Sequence, residues 1–167
     1  METQTFLIVV QLIGNLAITV GIIIAIAQVK QHKIQRKEMA VFEFFKAWQT
    51  PEFTTALNEI QLLPDHISAE ELRSSKPEMD GYAYLVHSFF ESTGLLVKRK
   101  IISFDVVDDL VGGVIQVTWK KLDVWIQEWR NTKNPMAGEW FEWLKTEIEK
   151  KSKFELNNAN DSENNSL

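Results

Sequence analysis

The stretch that decides the fold is LIVVQLIGNLAITVGIIIAIA, residues 7–27, which lies in a segment without charged side chains. At about 1.5 Å of rise per residue, a helix of this length crosses a hydrocarbon layer about 30 Å thick. The preceding METQT lacks the basic residues of a cleaved signal peptide, and AIAQVK is a poor cleavage site, so cleavage is the weaker alternative. The sequence therefore predicts one transmembrane helix near the N-terminus.

One half of this predicted helix differs from the rest in composition. It carries two adjacent stripes of polar and small residues: Gln11, Asn15 and Thr19 in one, and Gly14, Ala17, Gly21 and Ala25 in the other. Small residues let two helices approach closely, and amide side chains in lipid bond to a neighbouring helix. We expect this pairing face to join a second copy or another membrane protein. The alternative is a lone anchor, whose threonine bonds its own backbone and whose Gln11 reaches the membrane surface.

Charge around the predicted span is asymmetric. Lys30, Lys33, Arg36 and Lys37 all follow the span, whereas Glu2 is the one charged side chain before it. Basic residues are retained on the cytoplasmic side of a membrane, so we expect the N-terminus outside and the C-terminal domain in the cytoplasm. The chain has no cysteine, which agrees with a reducing compartment.

The remainder of the chain reads as helical. No helix breaker separates the span from Pro51, which predicts one long helix that leaves the membrane. Apolar residues then recur at helical spacing and predict a bundle of about five helices, without alternating strands. The predicted organisation is an anchor at 1–29, a cytoplasmic helical domain at 30–153 and a disordered polar tail at 154–167.

Local signals mark several helix ends. Ser68 and Glu71 have the spacing of a capping box, and Ser103 is placed to begin a further helix. Gly112 and Gly113 interrupt an apolar helical pattern, which favours a kink or a close helix contact over a phosphate-binding loop.

Several function classes lack their sequence signals. The net charge of −5, with one short basic segment at 30–37, argues against nucleic-acid binding. The chain contains no cysteine nucleophile, Gly-x-Ser-x-Gly motif, phosphate loop or dinucleotide fingerprint. We therefore predict no cofactor and no catalytic residue.

A metal site is the one chemical alternative that the residue pattern offers. Carboxylates and a histidine on adjacent helices bind divalent metals when they converge, and the candidates are His87, Glu91, Asp105, Asp108 and Asp109. The paired Glu-x-x-His motifs of a di-metal bundle are absent. We favour structural ion pairs or helix caps instead, with Glu91 and Asp109 as partners of Arg99 and Arg130.

The six tryptophans divide into two groups. Trp48, Trp119 and Trp129 fall on apolar helix faces, so core packing accounts for them. Trp125, Trp140 and Trp143 are less readily placed. The segment EWFEWLK, residues 139–145, is aromatic on more than one side, which indicates a helix wedged between two others or an aromatic patch for a partner or the membrane surface.

The segment FFESTGLLVKRKIISFDVVDDLVGG, residues 89–113, followed by W, WR and FEWL, resembles an uncharacterised family of small bacterial single-pass membrane proteins. The resemblance covers about residues 5–150 and rests on nine matching positions: Phe90, Glu91, Leu96, Arg99, Ile102, Asp109, Trp119, Arg130 and Leu144. Lys100 stands where the family pattern has a glycine in a turn. The resemblance implies an inner-membrane protein and supplies no activity.

These patterns favour a membrane-tethered helical interaction module, either a scaffold or a regulatory subunit, without catalytic activity. Its expected partners are the lipid bilayer, a second membrane helix and a cytoplasmic protein. The alternatives are a metal-dependent hydrolase that uses Glu91 with Asp105, Asp108 and Asp109, and a small effector that perturbs the membrane.

Overall fold

The computed structural model describes residues 2–164, and their side chains except at 2, 3, 5–10, 13, 33, 37, 40, 45, 47 and 159–164. Within that range the chain forms helices and no strand. The helices are α1 (Glu2–Trp48), α2 (Pro51–Gln61), α3 (Ala69–Ser75), α4 (Met79–Lys98), α5 (Phe104–Thr132) and α6 (Glu139–Asn164). The predicted all-α class, with an apolar N-terminal helix before a bundle, is confirmed.

Helix α1 is continuous from the apolar segment to Trp48, as the absence of a helix breaker predicts. The chain divides into two compact units, residues 1–41 and 42–167, so α1 contributes its last turns to the second unit. Among the α1 side chains that the structure describes, Phe44 is the first that is buried, close to the start of the second unit. The boundary at residue 29, where the apolar segment ends, stays a prediction.

Helix α6 extends to Asn164, well past the residue at which we expected a disordered tail to begin. No proline or glycine lies between 139 and 164, so no residue there breaks the helix. Phe154 and Leu156 are exposed on this extension.

Helix α4 organises the bundle because it packs against α2, α3, α5 and α6. Its buried residues run along its whole length at helical spacing and include Ala83, Val86, Phe90, Gly94 and Val97. This wide buried face lets one helix contact four neighbours.

The core between α4, α5 and α6 is aromatic. Phe90 and Phe141 are fully buried and stack with ring centroids 5.0 Å apart, and Trp119 meets Phe141 edge-on at 5.0 Å. Helix α6 lies against both α4 and α5, which agrees with the predicted wedging. At its surface the ammonium of Lys98 lies 4.6 Å from the ring centroid of Trp143.

Gly94 allows a close contact between two helices. A Cβ atom at Gly94 would collide with the carbonyl oxygen of Trp140, so α4 approaches the backbone of α6 at a point where only glycine fits. Helix α5 runs through Gly112 and Gly113 without interruption. A Cβ atom at Gly112 would meet Oδ1 of Asp108 on the same helix and would lie at ordinary contact distance, 3.5 Å, from Cγ2 of Ile148, while Gly113 faces open space.

The predicted helix caps are partly confirmed. Ser68 and Glu71 form the complete capping box of α3, in which each side chain bonds the other residue's backbone N–H. Ser103 has the extended backbone of an N-cap before α5, but its side chain makes no capping hydrogen bond.

The turn at the end of α4 places Lys100 where the resemblance described above implies a glycine. Lys100 adopts a left-handed backbone with φ of 56°. Its N–H donates to the carbonyl of Val97 at 2.9 Å, and the N–H of Ile101 donates to that of Leu96 at 3.0 Å. These two bonds form a Schellman motif, whose left-handed position glycine occupies without a steric cost.

We predict that Lys100→Gly raises the free energy of unfolding by about 1 kcal/mol, because it removes the cost of a left-handed non-glycine residue. The measurement is chemical denaturation in detergent, monitored by tryptophan fluorescence. Lys100→Ala is the matched control and should change stability little, because alanine retains that cost. A destabilised Lys100→Gly protein would contradict this account of the turn.

Candidate functional site

The acidic residues that suggested a metal site lie in separate places. Glu91 faces the beginning of α6, where its Oε2 accepts hydrogen bonds from the N–H groups of Trp140 at 3.1 Å and Phe141 at 2.9 Å. Helix N-termini carry unpaired N–H groups and a partial positive charge, so a carboxylate stabilises them. Glu91 therefore acts as a cap that one helix supplies to another.

The three aspartates at the start of α5 face Lys151 of α6. The ammonium of Lys151 lies 2.8 Å from Asp108, 3.3 Å from Asp105 and 3.9 Å from Asp109. The hydrogen bond to Asp108, followed by that to Asp105, raises the pKa of Lys151 above its usual value. Over the described residues, no group of three or more His, Asp or Glu side chains is arranged to hold a metal ion.

Arg130 has a different partner from the one that we predicted. Its Nε donates to the carbonyl of Ala137 at 2.5 Å, and its Nη2 lies 2.7 Å from Oε2 of Glu142. It therefore fixes the α5–α6 connection, which ends at Gly138 with φ of 72°.

The predicted ion pairs among Glu91, Asp109, Arg99 and Arg130 are thus replaced by other contacts. Glu91 bonds backbone N–H groups, Asp109 faces Lys151, and Arg99 is the exposed C-cap residue of α4. Sequence spacing identified the charged residues but not the backbone groups that compete for them.

His87 lies in the core beside two tryptophans. It is 4% exposed, and its ring centroid lies 5.0 Å from that of Trp129 and 5.8 Å from that of Trp125. Neither ring nitrogen bonds to a residue that the structure describes. Burial, and secondly the positive charge of Arg130, lowers the pKa of His87 from 6.5 to about 4, so the imidazole is neutral at pH 7.

All seven residues of the predicted pairing face on α1 are exposed. They are Gln11, Gly14, Asn15, Ala17, Thr19, Gly21 and Ala25. The hydroxyl of Thr19 donates to the carbonyl of Asn15 at 2.9 Å, as the lone-anchor alternative expects for threonine. A Cβ atom at Gly14 or Gly21 would meet nothing within 4 Å, so both positions leave room for another helix.

The bundle also contains a cleft that we did not predict. It has a volume of about 580 Å³, within the usual range for small-molecule sites. Its walls come from three helices: Ala69 and Arg73 of α3; Asp80, Gly81 and Tyr84 of α4; Trp125, Glu128, Trp129 and Thr132 of α5, with Lys133 at the end of that helix.

Hydrogen bonds and ring contacts fix the inner wall of this cleft. The indole N–H of Trp125 donates to Oδ1 of Asp80 at 3.2 Å, and Oε2 of Glu128 accepts from the N–H of Ala69 at 2.8 Å. Trp129 contacts Trp125 and Tyr84, with ring centroids 5.2 and 5.4 Å apart. The wall is therefore aromatic, with two half-buried carboxylates.

Sequence reasoning missed the cleft because it treated Trp129 only as a core residue. The available signal was a repeated spacing of four: Asp80 with Tyr84 on α4, and Trp125 with Trp129 on α5. Such spacing places each pair on one helix face, but it does not reveal that the two faces meet.

We predict that the free energy of unfolding falls as the pH drops from 6.5 to about 4, because the unfolded chain then binds a proton that folded His87 does not. The difference amounts to about 3 kcal/mol across that range. Denaturation of the full chain in detergent at several pH values measures it, and His87→Leu should flatten the profile by this amount. His32→Gln is the control and should retain the wild-type profile. Equal profiles for wild type and His87→Leu would overturn the assignment.

Comparison with known proteins connects this structure to a family. No curated protein and no solved structure matches the chain. Residues 15–148 match a family described as a domain of unknown function (DUF4760), and the match includes the helices that form the cleft and the Glu91 cap. Because the match spans most of the sequence, the chain belongs to this uncharacterised family.

Proposed function

We propose that the protein is a membrane-tethered helical interaction module, in which α1 holds the bundle at a membrane and the bundle binds a partner without catalysing a reaction. The observation that carries this proposal is the apolar surface of α1. Large apolar side chains from Leu12 to Val29 are exposed, including Leu16 at 66%, Ile23 at 62% and Ile26 at 65%.

A helix whose exposed surface consists mostly of large apolar side chains needs a surrounding apolar medium. The part of α1 from Gly14 to Phe44 is long and apolar enough to cross a membrane by length and composition. Lipid acyl chains provide such a medium, because they contact a membrane-spanning helix from every side. The basic residues after the apolar segment support an orientation with the N-terminus outside and the bundle in the cytoplasm, at an inner membrane.

The non-catalytic role is supported by what the acidic residues contact. Glu91 caps α6, and Asp108 binds Lys151, so both carboxylates hold helices together. A hydrolase would need such groups to converge on a substrate.

The polar face of α1 supports pairing as a second part of the proposal. Thr19 bonds its own helix, whereas Gln11 and Asn15 are exposed amides in an apolar helix. Two copies in which these amides bond one another would satisfy them, at about 0.6 to 2 kcal/mol for each bond.

Alkaline extraction of membranes tests the anchor. The wild-type chain should stay in the membrane pellet, whereas Ile18→Lys with Ile22→Lys should move to the supernatant. Each lysine near the centre of a span costs about 3 kcal/mol of insertion free energy. The control, Ile18→Leu with Ile22→Leu, should remain in the pellet. A wild-type chain released by alkali would show that the anchor is wrong.

Cysteine crosslinking in native membranes tests pairing, and the absence of native cysteine makes it specific. Ala25→Cys, on the pairing face, should give a disulfide-linked dimer on oxidation. Ala27→Cys, on the opposite face by helical geometry, should not. Adding Asn15→Leu to Ala25→Cys should reduce the dimer several-fold. Equal crosslinking at both positions would refute a defined pairing face.

A further inference from the structure

We infer that the cleft between α3, α4 and α5 binds a small zwitterion, with its alkylammonium group against the inner wall and its carboxylate or phosphate group at the rim. This inference goes beyond the proposed function and does not depend on the membrane anchor. It follows from the placement of charge around an aromatic surface.

The negative charges of the cleft are fixed inside it. Asp80 and Glu128 are half-buried, and each accepts one hydrogen bond that holds its carboxylate in place. Among the described residues, neither Oδ2 of Asp80 nor Oε1 of Glu128 accepts a hydrogen bond. Two carboxylate oxygens are therefore available to a cationic group of a ligand.

The aromatic rings favour the same kind of group. The faces of tryptophan and tyrosine carry a negative partial charge that attracts alkylammonium ions. Trp129 and the exposed Tyr84 form an aromatic surface beside the two carboxylates, and Trp129 also packs on Trp125, which is 7% exposed. His87 packs behind this surface and is neutral at pH 7, so it adds no repelling charge.

The positive charges lie at the rim. Arg73 and Lys133 are exposed, and neither forms an ion pair with the residues that the structure describes. An arginine fork and a lysine ammonium both bind carboxylate and phosphate groups. A simple cation would meet repulsion from the rim and a simple anion would meet repulsion from the inner wall, whereas a zwitterion pairs with both.

The size of the cleft limits the ligand. A volume of about 580 Å³ accommodates a molecule the size of an amino acid or a lipid headgroup. Gly81 contributes to this room, because a Cβ atom there would meet nothing within 4 Å. The shared chemistry, an ammonium and an anionic group a few bonds apart, occurs both in free metabolites and in zwitterionic lipid headgroups.

The inference is tested by titrating small molecules into the full chain in a non-ionic detergent and measuring binding by calorimetry and by tryptophan fluorescence. The probes are phosphocholine, phosphoethanolamine and glycine betaine. We expect at least one to bind, and to bind tenfold or more tightly than tetramethylammonium or inorganic phosphate. Wild-type protein that binds none of the three zwitterions would overturn the inference while leaving the membrane extraction result unaffected.

Two variants test which residues of the cleft contact the anionic end of the ligand and which contact its ammonium end. Arg73→Gln should weaken zwitterion binding about tenfold but should not weaken tetramethylammonium binding, because it removes a rim charge that attracts the anionic group and repels a simple cation. Asp80→Asn should weaken both about tenfold, because it removes a charge that faces the ammonium. Equal effects of the two variants on every probe would overturn the proposed orientation.

A steric variant tests the location. Gly81→Leu adds a side chain to the cleft at a position where its Cβ atom meets nothing within 4 Å, and should abolish binding. Gly113→Leu is the matched control, since Gly113 is also a helical glycine that faces open space, and it lies outside the cleft. Unchanged binding by Gly81→Leu would overturn the assignment to this cleft.

Nanodiscs distinguish the two sources. If a headgroup is the natural ligand, discs that contain phosphatidylethanolamine should compete with soluble phosphoethanolamine, whereas discs of phosphatidylglycerol should not. If a free metabolite is the ligand, the two kinds of disc should give the same affinity. Either result supports binding of a zwitterion in the cleft, provided that Gly81→Leu abolishes the binding of phosphoethanolamine.

Discussion

The bundle depends on the contact between α4 and α6. At Gly94 the absence of a side chain lets α4 reach the carbonyl of Trp140, and one turn earlier Glu91 binds the first free N–H groups of α6. The same approach brings Phe90 onto Phe141 in the centre of the core. Close backbone packing, a charged cap and an aromatic stack therefore act at one interface between α4 and α6.

This interface gives structural roles to residues that resembled a reactive cluster. Glu91 and Arg130 act on the beginning of α6 and on the connection before it, and the aspartates of α5 bind its Lys151. In the cleft, by contrast, Asp80 and Glu128 each keep one carboxylate oxygen that accepts no hydrogen bond from the described residues.

Much of the fold could be predicted because its signals are local. The unbroken α1, the capping box at Ser68 and Glu71, and the helical class all follow from spacing within one segment. Contacts between distant segments could not be predicted in the same way. The partner of Glu91 is a set of backbone groups about fifty residues away, and the cleft needs α3 and α5 to meet. The end of α6 could not be placed from the sequence, because residues 154–167 are polar in composition and no proline or glycine between 139 and 164 marks where the helix ends.

The shortness of α3 affects how the cleft behaves. Hydrogen bonds join the N-terminal end of this seven-residue helix to α5. The carboxylate of Glu128 accepts from the N–H of Ala69, and backbone N–H groups of the loop before α3 donate to the carbonyls of Lys120 and Lys121. The buried side chain of α3 is Leu72. A helix of two turns has little stability of its own, so its far end opens at a lower free energy than the long helices around it. A molecule bound between α3 and α5 would make that opening rarer. Hydrogen exchange of the α3 backbone amides would then be slower in the bound protein than in the free protein.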